Sequence, residues 1–152
     1  MNGKLYISCG IPGSGKSTFL KKYVGKDEAV ISRDEIRFTL VKEDEPYFSH
    51  EKEVYSSFIN IIAEHINSGH NVYADATHLN STSRTVLLNS LKKAGCIPSA
   101  VEAIFFDVPI DVCIERNEKR KGTRAHVPET VIRNMYSSLT CPIEFSVVWT
   151  VD

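Results

Sequence analysis

The chain has 152 residues, 42% of them apolar and 24% charged, and 18 basic against 19 acidic side chains leave a formal net charge of −1. This is an ordinary globular composition and enough chain for one domain, residues 1–152, with a sizeable buried core. It excludes a strongly basic, non-specific nucleic-acid binder while leaving room for a local basic groove.

Leu5-Tyr6-Ile7-Ser8-Cys9 is short and apolar and predicts a buried strand. It runs into Gly10-Ile-Pro-Gly-Ser-Gly-Lys-Ser-Thr18, which matches G-x-x-x-x-G-K-[ST], the Walker A phosphate-binding loop. Each fixed residue has a physical reason. Gly10, Gly13 and Gly15 let the backbone turn where a side chain forbids it and bring N–H groups close to an anion. The cradle predicted for a nucleoside triphosphate is Gly13, Ser14, Gly15, Lys16, Ser17 and Thr18. Lys16 would place its charge on the β- and γ-phosphates, and the Ser17 hydroxyl suits Mg²⁺. Phe19, Leu20, Tyr23 and Val24 then recur at helical spacing, so the helix N-terminus also faces the phosphates. A glycine-rich turn that binds nothing is the plain alternative. The complete pattern with both flanks in place speaks against it.

Ala29-Val30-Ile31-Ser32 predicts a second strand, and Arg33-Asp34-Glu35-Ile36-Arg37 follows it. Open α/β sheets place ligand-binding groups beyond the carboxyl ends of strands. Asp34 is therefore a candidate base for a substrate hydroxyl, and Arg37, one turn later, a candidate phosphate holder. Equally, Asp34 could cap the next helix with Arg37 solvated; spacing alone does not choose. Residues 42–53 are charged and broken by Pro46, which predicts a loop entering a helix near Ser49. Val54, Phe58, Ile61, Ile62 and Ile66 mark its apolar face and Gly69 its stop. His50 and His65 lack partners at metal-site spacing and read as surface or boundary residues.

Asn71-Val72-Tyr73-Ala74-Asp75 predicts a third strand ending in a carboxylate. That is the Walker B position, where an acid holds Mg²⁺ directly or through water; capping a turn is the alternative. Asn80 or Ser81 would cap a helix marked by Leu87, Leu88, Leu91 and Ala94 and stopped by Gly95. Val101 to Val108 predicts a fourth strand, and Pro109 suits the start of a helix through Val112, Cys113 and Arg116. Arg116, Lys119, Arg120, Lys121 and Arg124 form the densest basic cluster, with Gly122 in its middle. The cluster reads either as a solvated face or as a lid, residues 116–127, that swings an arginine onto a transferring phosphoryl group. Pro128 opens a last helix with Val131, Met135 and Leu139 inward, and Phe145 to Val151 predicts a fifth strand. Alternating strands and helices imply a parallel five-stranded α/β sheet covered on both faces.

Cys9, Cys96, Cys113 and Cys141 are scattered, with no C-x-x-C pair. Reduced thiols in a cytoplasmic protein fit this better than disulfides, and Cys9 and Cys113 read as small core hydrophobes. There is no signal-peptide pattern, repeat or run long enough for a membrane span.

The phosphate loop, Ser32-Arg33-Asp34-x-x-Arg37, the strand ending at Asp75, Phe106-Asp107-Val108-Pro109 and Arg116-Asn117-x-x-Arg120 together resemble the 5′-kinase domain of phage polynucleotide kinase. The resemblance spans nearly the whole chain and is most specific from Phe106 to Tyr136. It implies a P-loop kinase fold with a short basic lid, and transfer of the ATP γ-phosphate to the 5′-hydroxyl end of DNA or RNA in nucleic acid repair. By position it makes Lys16 and Ser17 triphosphate and Mg²⁺ ligands, and Asp34 the general base. Arg37 would grip the phosphate on the 3′ side of the acceptor nucleotide, and Asp75 would organise the metal. Arg120 would stabilise the transition state, with Arg116, Val127 and Val131 near the adenine. Extra lid residues around Lys121 and His126 leave open which of Arg120, Lys121 and Arg124 reaches the phosphates. There is no D-x-D-G-T phosphatase motif, so only phosphate addition is expected. Two rivals keep the same loop: a kinase for a nucleoside, small molecule or modified DNA base, differing between residues 34 and 60, and a non-catalytic ATP-binding regulatory module. An acid and an arginine at 34 and 37 favour an enzyme, because a switch needs no acceptor base.

Overall fold

In the computed structural model, which describes residues 1–152, five strands form one parallel sheet. They are β1 (Leu5–Cys9), β2 (Glu28–Ser32), β3 (Asn71–Asp75), β4 (Val101–Phe106) and β5 (Val148–Val151), in the spatial order β2-β3-β1-β4-β5. Six helices connect them: α1 (Lys16–Tyr23), α2 (Arg33–Leu40), α3 (Glu51–Asn67), α4 (Ser81–Lys93), α5 (Ile110–Glu118) and α6 (Glu129–Ser138). The order reverses at β1, which has β3 on one side and β4 on the other. Such a switch point opens a crevice beyond the carboxyl ends of the strands. Ser32 pairs with Asp75, so β2 and β3 end level and deliver their following residues to the same edge.

Alternation along the strands divides the side chains between two faces. Leu5, Ile7, Cys9, Val72, Ala74 and Ala103 pack against Phe58, Ile62 and Ile66 of α3 and Leu87 and Leu91 of α4. Tyr73, Ile104 and Phe106 face the other way, onto Leu20 of α1. A third cluster, built on Ile11, Cys113 and Ile132, joins the phosphate loop to α5 and α6. A cleft of about 590 Å³ lies beside α1, lined by Tyr6, Tyr23, Tyr73 and Trp149. It contains no phosphate-loop residue, so it is separate from the site described below. No helix is long and apolar enough to cross a membrane.

The elements follow the expected order, with differences at their faces and ends: β4 stops at Phe106, short of Val108, and Ala94 is exposed at the C-cap of α4. Ile59 and Ala63, rather than Ile61, complete the buried face of α3. Ile132, not Val131, is the buried residue of α6; the inward stripe is Ile132, Met135 and Leu139, and Val131 flanks it half-buried. A one-residue phase error on a helix is a 100° rotation, so neighbouring apolar residues compete for the inward position. β5 begins only at Val148, because the Phe145 N–H closes a turn onto the Pro142 carbonyl instead of joining a ladder.

Arg84 sets a charge among the apolar side chains of the interior. Arg84 is fully buried on α4, where it donates to the carbonyls of His78 and Leu79 and to the Glu144 carboxylate. It also donates to the Thr140 carbonyl, tying the loop after β3 to the segment before β5.

Candidate active site

The phosphate loop owes its shape to two left-handed residues, Gly13 (φ +85°) and Gly15 (φ +89°). A Cβ on Gly13 would sit 2.5 Å from the Cys113 carbonyl oxygen, so α5 packs against bare backbone there. The Gly10 N–H is anchored to the Thr77 carbonyl at 3.0 Å, which joins the loop to the segment after β3. Lys16 is buried, and its Nζ donates to the Ile11 carbonyl at 3.0 Å. Burial pushes the Lys16 pKa down, while the carboxylates of Asp75 and Asp34 push it up. Ser14 Oγ is buried without a hydrogen-bond partner, an orphan group inside a loop shaped for an anion. Thr18 stands exposed on the first turn of α1.

Ser17 Oγ donates to Asp75 Oδ2 at 2.6 Å. Burial raises the Asp75 pKa, and the Ser17 hydrogen bond and the Lys16 charge oppose that rise. No group of three or more His, Cys, Asp or Glu side chains could hold a metal alone. A hydroxyl beside one carboxylate is the sparse oxygen set that Mg²⁺ uses when phosphate oxygens complete its shell. These residues fit that ion.

On the opposite wall, Ser32 caps α2 by accepting from the Glu35 N–H at 3.2 Å. Asp34 therefore lies in the first turn and is not the cap. Because Ser32 is level with Asp75, that first turn leaves the sheet at the edge where β3 delivers Asp75. One Asp34 oxygen accepts from the Arg37 guanidinium and from the Tyr47 hydroxyl, the latter at 2.7 Å. Arg37 is not solvated: it is only 5% exposed. Its Nε donates to Glu51 Oε2 at 3.0 Å, its Nη2 to Glu51 Oε1, and its Nη1 to Tyr47 and Asp34. The Tyr47 ring lies 4.4 Å from the guanidinium carbon. Burial and Asp34 push the Tyr47 phenol pKa up, so it remains a proton donor. Glu51 and Tyr47 have no signature in spacing; one opens a helix and the other sits in a charged loop.

The basic segment splits by role. Arg116 Nη1 donates to the Gly13 carbonyl at 3.2 Å, over the phosphate loop. Arg120 follows one turn after Arg116, its N–H closing onto the Asn117 carbonyl at 3.0 Å, and its charge is among those that oppose protonation of Lys16. Arg124 is engaged elsewhere: it donates to the Phe38 and Val41 carbonyls at the end of α2 and lies 4.8 Å from the Phe38 ring. Lys121 points to solvent beside Gly122, which has φ +87°. Asn117 closes the base of the segment by bonding both the N–H (2.9 Å) and the carbonyl (2.6 Å) of Val127. Val127 packs on the Ile11–Cys113–Ile132 cluster beneath the phosphate loop.

Residues 5–142 match the family model of an AAA domain. Among solved structures, a chain of the Pnkp1/Rnl/Hen1 RNA repair complex is 23% identical with a TM-score of 0.76, over 91% of this chain and 44% of that one. The protein thus spans less than half the length of that relative. A gluconokinase from Sinorhizobium meliloti is 19% identical with a TM-score of 0.62, over 99% of this chain and 82% of its own. The Mycobacterium tuberculosis APS kinase, solved with AMPPNP and APS, is 21% identical with a TM-score of 0.64, over 99% and 90%. At these identities the likeness is one of fold: a parallel sheet of P-loop kinase type. The chain belongs to the AAA domain family, and its fold is of P-loop kinase type.

Proposed function

We propose that the protein is an ATP-dependent polynucleotide 5′-hydroxyl kinase. The observation that carries this reading is the Asp34 carboxylate, placed just beyond the end of β2 level with Asp75, with one oxygen held by Tyr47 and Arg37. The other oxygen is left to accept a proton. The resemblance to polynucleotide kinase and the likeness to a chain of an RNA repair complex support a nucleic acid end as the acceptor.

In the reaction the acceptor oxygen attacks the γ-phosphorus, the bond to the β,γ-bridging oxygen breaks, ADP leaves, and Asp34 takes the hydroxyl proton. The loop N–H groups, Lys16 and the N-terminus of α1 would hold the triphosphate, and Arg120 would answer the equatorial charge. Arg116, Val127 and Val131 would border the adenine, and Arg37 would reach the acceptor phosphate through Nη1. Bound at Ser17 and Asp75, Mg²⁺ would neutralise charge on the β- and γ-oxygens.

A small polyol acceptor is the second reading, favoured by the likeness to gluconokinase along 99% of the chain. Labelled ATP and Mg²⁺ offered with a 5′-hydroxyl oligonucleotide, a 3′-nucleotide, a nucleoside and gluconate decide between them. We expect label on the oligonucleotide and the 3′-nucleotide; transfer to gluconate with none to nucleic acid overturns the proposal.

A further inference from the structure

Phe48 presents its ring to solvent, 62% exposed, on the segment that carries Tyr47. Exposed rings are common, but this one is fixed from below. Its centroid lies 4.6 Å from that of Tyr47 at an interplanar angle of 87°, and the Arg37 guanidinium sits 5.7 Å from it. Arg37 is held by Glu51 and Asp34. The segment itself is pinned at both ends. Ser49 Oγ donates to the Pro46 carbonyl at 2.7 Å, and His50 lies 2.9 Å from Glu45 and 3.0 Å from Glu53. An uncovered aromatic face, braced by Tyr47 and Arg37, therefore stands one ring beyond the hydroxyl that holds Asp34.

The ring itself carries no charge and donates no hydrogen bond, so this face offers a phosphate little. It suits a flat, polarisable group, because a nucleobase stacks on an aromatic ring whatever its sequence. With the acceptor hydroxyl at Asp34, the sugar bridges the step to Phe48 and lays its base on the ring. We propose that Phe48 is the specificity-determining residue for the acceptor, stacking on the 5′-terminal nucleobase from the ledge that Tyr47 and Arg37 support. This rests on the polynucleotide kinase reading and names how that site distinguishes a nucleotide end from a polyol.

The test compares two 5′-hydroxyl oligonucleotides, one with a normal terminal nucleotide and one whose terminal residue is abasic. In the wild type, KM for the abasic acceptor should be roughly tenfold or more higher, the loss of one stacked base. Phe48→Ala should raise KM for the normal acceptor to the abasic value, changing kcat less than KM and leaving the KM for ATP unchanged; Phe48→Tyr should restore the difference. A Phe48→Trp variant adds a binding readout: its fluorescence is quenched by the normal acceptor and not by the abasic one. Equal KM values for the two acceptors in the wild type, or an equal rise for both in Phe48→Ala, overturn the stacking role and leave the kinase assignment standing. Absence of transfer to any oligonucleotide overturns both.

Discussion

Ser17 Oγ hydrogen-bonds Asp75 Oδ2 at 2.6 Å, across 58 residues of sequence. The pair joins the first turn of α1 to the end of β3, and a divalent cation there would find a hydroxyl oxygen and a carboxylate oxygen as ligands. Asp75→Asn keeps a hydrogen-bond partner for Ser17 and should fold normally. Metal-dependent turnover should fall by roughly two orders of magnitude. A magnesium titration of ATP turnover, beside a thermal melt, checks this; a normal metal requirement in the variant removes Asp75 from the metal site.

Asp34→Asn preserves the size of the side chain and its acceptor atom for Tyr47. ATP should bind as in the wild type, while transfer to the acceptor falls by roughly 10²- to 10⁴-fold. Single-turnover assays with labelled ATP separate the two. Near-normal rates strip Asp34 of the base role.

The lid arginines make opposite predictions. Arg120→Ala should lower kcat by about 10³-fold with little change in ATP affinity. Arg124→Ala frees the Phe38 and Val41 carbonyls from the lid and should raise the KM for ATP more than it lowers kcat. If the large loss of kcat comes from Arg124 instead, the two residues exchange roles.

Glu51→Gln removes the carboxylate that takes two N–H groups of the buried Arg37. Asp34 remains as a partner, so the expected cost is about 2 kcal/mol of stability. Urea denaturation measures it. An unchanged midpoint would show that Asp34 and Tyr47 alone satisfy the buried guanidinium.

His78 is buried with φ +41°, and its Nδ1 donates to the Ser8 carbonyl at 2.8 Å. Burial pushes its pKa down from 6.5 to about 4. The unfolded chain thus takes up this proton first as pH falls, so stability is full above pH 6.5 and declines toward pH 4. The decline is about 1.4 kcal/mol per pH unit, or about 3 kcal/mol in all. His78→Asn, which tolerates a positive φ, should flatten the pH dependence of the denaturation midpoint over that window. An NMR titration of His78 with a midpoint near 6.5 refutes the assignment.

The sequence by itself determined whatever depends on neighbours within a turn or a strand. The glycines of residues 10–15, the strand ends at Ser32 and Asp75 and the capping Asn80 are local devices, and each stands where its own residues place it. Strand–helix alternation was equally legible, because periods of 2.0 and 3.6 are written in consecutive residues. Only the tertiary structure decided which polar groups meet. Arg84 carries no local sign of burial, yet Glu144, Thr140 and the His78 carbonyl close around it. Arg37 reads as either clamp or solvated charge until Glu51 and Tyr47 reach it from another helix and a loop. Arg124 lies in the same basic run as Arg120, yet packing sends it to the end of α2. The reason is physical: burial and ion pairing depend on register and helix packing over tens of residues, and no local spacing encodes them.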